Sequence, residues 1–150
     1  MKKYQIMLIL LAIIAGAVLP LQAGLNVQLG KSVHQPVFAA FASFLIGSIG
    51  LFAYLFVLKF DFSTMVQAKE VSPVVWSAGI LGAFYVTAVI FLAPKLGTAL
   101  TFSLVVAGQM IISLILDHYG LLGLPIKQVN WQKALGIVSL IIGVLLIRRY

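Results

Sequence analysis

Apolar residues along this chain gather into five long runs, and the charged and polar residues collect in the short stretches between them. A helix crosses roughly 30 Å of bilayer hydrocarbon with about 20 mainly apolar residues, each adding about 1.5 Å. The pattern therefore predicts five membrane-spanning helices over 4–25, 37–58, 74–93, 96–117 and 131–148. Barrel strands would alternate apolar and polar residues over about ten positions. Unbroken runs must instead satisfy their backbone groups within the segment, as only a helix does. The expected fold class is all-α integral membrane, one five-helix domain over 1–150 with no soluble domain or low-complexity segment.

The connections sharpen this picture. Residues 26–36, with Lys31 and His34, and the pair Pro94 and Lys95 read as turns between antiparallel neighbours. The longest polar connection, 59–73, holds Asp61, Lys69 and Glu70. Trp76 and Trp131 stand where interfacial aromatic anchors belong. The first run also has the outline of a secretory signal, with lysines, an apolar stretch and Leu21-Gln22-Ala23 before Gly24. Leu21 is too bulky for the small residue such a cleavage site needs, so the run is read as a retained span.

Composition removes the soluble alternatives. The 150 residues are 63% hydrophobic and 9% charged, against roughly 45–50% and about 25% in a soluble domain. So small a soluble fold could not hide this much apolar surface. The +7 net charge comes from residues scattered singly at the edges of apolar runs, which is the pattern of headgroup anchors rather than a phosphate-binding stripe. No nucleic-acid partner is expected; the bilayer is. The absence of cysteine rules out disulfides and thiolate chemistry. No metal-ligand cluster, Ser/His/acid constellation or phosphate-binding glycine loop is present, so neither enzyme activity nor a cofactor is expected.

With five spans, Lys2, Lys3, Lys59, Lys69, Lys127 and Lys133 share one side, and Lys31, Lys95, Arg148 and Arg149 the other. Orientation follows the Lys and Arg excess, and six against four leans only slightly towards an inside amino terminus. Dual insertion, with two copies paired antiparallel, is therefore one reading, and a single weakly specified orientation is the other.

Polar side chains inside a bilayer are costly and mark pathways, whereas small residues more often serve close packing. Gln22 and Asn26, four apart in the first helix, are candidate substrate contacts; the alternative is that they cap a helix end or bond a neighbour. Gly16, Pro20 and Gly24 share a face of the same helix, and Pro20 frees a carbonyl. Tyr85 combines an aromatic face with a hydroxyl and is a further substrate candidate. Gln109, Ser113 and Asp117 form one stripe at fourfold spacing, which marks Gln109 for substrate and Asp117, with His118 beside it, for ion coupling. Asp117 also falls at a helix end, where it would simply meet water, Lys127 or Lys133. Ala39, Ser43 and Gly47 read as a packing face, as do Gly79, Ala83 and Thr87. Gly136 and Gly143, a heptad apart, are the candidate dimer interface.

Four segments carry a family resemblance: LPLQAGLNVQLG at 19–30, FAAFASFLIGSIGLF at 38–52, GILGAFYVTAVIFLAPKLGTAL at 79–100 and VVAGQMIISLILDHYGLLGLP at 105–125. Together they resemble the drug/metabolite transporter superfamily, and within it the five-helix YdcZ family of EamA-like bacterial inner-membrane exporters. GIVSLIIGV at 136–144 is similar to the glycine-heptad last helix through which small multidrug resistance proteins dimerise. The resemblance implies a multi-pass protein of the bacterial cytoplasmic membrane. It implies too that one chain forms half of a ten-helix bundle, built with an antiparallel copy or a closely related partner chain. Those resistance proteins carry an acid in their first helix where this chain has Gln22 and none. A carboxylate-free cavity suits neutral, zwitterionic or anionic organic solutes. The expected function is export or exchange of a small organic metabolite or drug-like solute by alternating access. A small dual-topology channel and a non-transporting subunit of a paired complex are the rival readings.

Overall fold

A computed structural model describes residues 3–149. All regular structure among them is helical: α1 Lys3–Ser32, α2 Pro36–Val57, a 3-10 segment Phe62–Glu70, α3 Pro73–Trp76, α4 Ala78–Leu96, α5 Thr98–Tyr119, a 3-10 turn Leu121–Gly123 and α6 Trp131–Arg149. Five spans are long and apolar enough to cross a membrane, with α3 and α4 together making the third, Pro73–Leu96.

The chain falls into two compact units that divide between Lys95 and Leu96. In the first, Ala39 and Ala40 of α2 and Ile90 of α4 form a small core, with Val27, Leu29 and Val86 packed on it. In the second, α5 and α6 are neighbours, and Val144 is the buried hydrophobic residue of α6. Most large apolar side chains of the spans are exposed. In water that surface would be untenable, but lipid solvates it without cost.

Two boundaries differ from the sequence reading. The helix expected to stop at residue 25 continues to Ser32, so the connection expected over 26–36 shrinks to 33–35. Its end is set by backbone geometry: Gln35 N–H donates to Gly30 C=O at 2.9 Å and His34 N–H to Lys31 C=O at 3.3 Å. His34 takes the left-handed conformation, φ 56. This is a Schellman cap, and Pro36 then opens α2 at a position where its missing N–H costs nothing. The second difference is that Pro94 and Lys95 lie inside α4, and the chain turns at Gly97, φ 83. Pro94 is accommodated near the carboxyl end of α4, and the helix breaks at Gly97, whose positive φ glycine adopts freely.

Close helix approach is read directly from two glycines. A Cβ placed on Gly30 would lie 3.2 Å from Pro36 Cα, and one on Gly82 would lie 3.3 Å from Phe44 Cζ. Gly30 thus lets the α1–α2 hairpin close, and Gly82 lets the Phe44 ring of α2 rest on α4.

Candidate functional site

The first unit brings Gln22 onto α2. Its Nε2 donates to Ser43 Oγ at 3.3 Å, and both residues line a recess of about 220 Å³ with Phe44, Gly47, Ser48 and Leu51. By rise per residue, Gln22 lies about 7 Å from the middle of α1 and Ser43 about 5 Å from the middle of α2. The polar pair therefore sits deep within apolar spans. It uses one of the amide's hydrogen-bonding positions. Ser43, read from sequence as a packing residue, belongs to this site. Nothing in its small-residue spacing distinguished it from Ala39 and Gly47; only the hairpin register sets it opposite Gln22.

Asn26 lies one turn further along α1 and is 7% exposed. The helix runs on past it, so it does not cap an end. Its Nδ2 is buried without a hydrogen-bond partner, an arrangement that costs about 1–3 kcal/mol until an acceptor arrives. At the end of α1 a second cavity, of about 340 Å³, is lined by Val27, Gly30, Lys31, His34, Pro36, Ile90 and Pro94. The sequence places both Lys31 and His34 in a connection and marks neither as a site residue. Tyr85 is half-buried near the middle of the Pro73–Leu96 span, three residues from Gly82 and so on the side of α4 that meets Phe44.

In the second unit Gln109 stands at the middle of α5 and is exposed, as is Ser113. Asp117 is half-buried in the last turn, about 13 Å from the middle of the helix. No described residue pairs with its carboxylate, while its main-chain carbonyl accepts from Lys127 N–H at 2.8 Å. Lys133 is engaged elsewhere: its Nζ donates to the carbonyls of Lys127 and Gln128 at 3.3 and 3.0 Å. His118 Nδ1 accepts from Val129 N–H at 3.2 Å, and its ring meets Tyr119 edge to face at 4.8 Å. These contacts tie the connection before α6 back to the end of α5. Gly136 is exposed and Gly143 half-buried on α6, and a Cβ on either would meet nothing within 4 Å.

Among the described residues no group of three or more His, Cys, Asp or Glu could hold a metal ion. The long apolar spans, with uncharged polar groups near the middle of four of them, define a multi-pass helical membrane protein. Residues 7–146 match the family model DMT_YdcZ, described as "Putative inner membrane exporter, YdcZ". The chain belongs to that family, and is thereby a transmembrane transporter of exporter type. No curated protein and no solved structure matches it.

Proposed function

We propose that this chain exports or exchanges a small organic solute by alternating access, as one half of an antiparallel pair in a bacterial cytoplasmic membrane. The observation that carries the reading is the Gln22–Ser43 pair at the edge of a recess deep between apolar helices. Such a pair offers neutral donors and acceptors where lipid offers none. Tyr85, near the middle of its own span, extends that set, and Gln109 is a separate candidate contact in the second unit. With no carboxylate near the middle of any described span, the site favours neutral, zwitterionic or anionic solutes. Asn26 adds an unsatisfied donor towards the end of α1. Asp117 is assigned to ion coupling, with His118 as its neighbour: it is an acid near a span end whose carboxylate has no partner among the described residues. Pairing runs through the open Gly136 and Gly143 face.

The test is counterflow in proteoliposomes loaded with a panel of small zwitterionic and anionic solutes. Saturable, accelerated exchange that Gln22→Leu weakens supports the proposal. Flux that rises linearly with concentration and shows no counterflow refutes alternating access and marks a channel. Pairing is tested by joining reporters active only inside or only outside the cytoplasm to the carboxyl terminus. Signal from one side alone refutes an antiparallel pair of identical chains.

A further inference from the structure

The connection between the second and third spans is polar by count, but its conformation sorts the residues. In a 3-10 helix, at about three residues per turn, positions three apart eclipse. Phe62, Met65, Ala68 and the capping Val71 therefore line up as one apolar stripe, Thr64, Gln67 and Glu70 as a polar edge, and Ser63, Val66 and Lys69 as a mixed edge between them. The stripe is exposed rather than packed: Met65 is 58% and Val71 42% accessible. It borders an open recess of about 410 Å³ that Lys69, Pro73 and Trp76 also line.

Two further observations say what covers it. The Phe62 ring lies 6.1 Å from Phe52 and 5.5 Å from Phe56, both exposed side chains in the final turns of α2, and 5.3 Å from Phe60. The start of the segment is thus fastened to exposed apolar surface in the last turns of a span. Its other end runs directly into Pro73, where the next span begins. The stripe is continuous with exposed apolar surface of a span at both ends: Phe52 and Phe56 at one, Val74, Val75 and Trp76 at the other.

We infer that residues 59–72 lie in the membrane interface, with the Phe62, Met65, Ala68 and Val71 stripe set among the upper acyl chains of the lipid and the Thr64, Gln67 and Glu70 edge towards water. Lys59 and Lys69 balance Asp61 and Glu70, so the segment carries no net charge. Its seating is driven by apolar contact and is indifferent to lipid headgroup charge.

The absence of cysteine makes single-site labelling direct. Full-length Met65→Cys and Gln67→Cys, each carrying one environment-sensitive fluorophore, are reconstituted in vesicles of neutral or acidic phospholipid. The label at 65 is expected to be quenched several-fold more than that at 67 by nitroxide placed high on the acyl chain, and less by aqueous iodide, in both compositions. Val71→Cys repeats the measurement at the far end of the stripe, so the test survives failure of one variant to insert. Equal iodide access at 65, 67 and 71 overturns the inference. So does seating seen only in acidic vesicles, which would make the attachment electrostatic, or shielding from both quenchers, which would mean that protein covers the stripe.

Discussion

Gly30→Ala and Gly24→Ala place the same methyl group on the same helix, yet the structure predicts opposite signs. Replacing a helical glycine with alanine is worth about 1 kcal/mol through backbone entropy. At Gly24 nothing lies within 4 Å of the new Cβ, so that gain stands. At Gly30 the methyl meets Pro36 Cα at 3.2 Å, Ala39 Cβ at 3.6 Å and Ile90 Cγ2 at 3.7 Å. Pro36 cannot yield easily, because its ring fixes φ and the Gln35 to Gly30 hydrogen bond holds the turn before it. Overpacking of this kind costs about 1–3 kcal/mol, which outweighs the propensity gain and leaves a net loss of up to about 2 kcal/mol. Unfolding of the purified chain in mixed micelles, by titrating a denaturing detergent and following circular dichroism, should place Gly30→Ala below the parent and Gly24→Ala above it. Because the hairpin also sets Gln22 against Ser43, about 12 Å along α1, Gly30→Ala should lower transport as well. Equal or greater stability for Gly30→Ala than for Gly24→Ala would refute the close approach of α1 and α2 at this turn.

Three other outcomes are expected. Asp117→Asn should remove the pH dependence of solute flux in proteoliposomes while flux itself persists; an unchanged pH profile would end the coupling assignment. Gly136→Leu combined with Gly143→Leu should convert a crosslinkable dimer to monomer, since both positions are open in the chain, and a dimer that persists on native mass measurement would count against that face. Asp61 accepts from Ser63 N–H at 2.9 Å and Ser63 Oγ at 2.8 Å, which lowers its carboxyl pKa below 3.8. A depressed folded value means the cap is complete above pH 3.8 and is lost as pH falls through the lowered value. A spin label at residue 67 should therefore gain mobility only under acid, and Asp61→Ala should show that mobility at every pH.

Hydropathy alone determined that this chain crosses a membrane five times. Each span is a local sum: a run of about 20 apolar residues is favourable in hydrocarbon whatever its neighbours do. The same sum placed Gln22, Tyr85 and Gln109 within spans and Asp117 near a span end. It was silent on what ends a helix. A histidine in the left-handed conformation closes α1 at His34, and Pro94 is absorbed into α4, because caps depend on backbone hydrogen bonds rather than on side-chain polarity. It was equally silent on partners. Ser43 meets Gln22, and Gly30 meets Pro36, only once two helices are in register, and in lipid that register rests on small-residue contacts and single hydrogen bonds that no one helix contains. The 59–72 segment shows the limit most clearly. Its apolar residues, spaced by three, disappear into a polar average until the tighter 3-10 turn stacks them on one face.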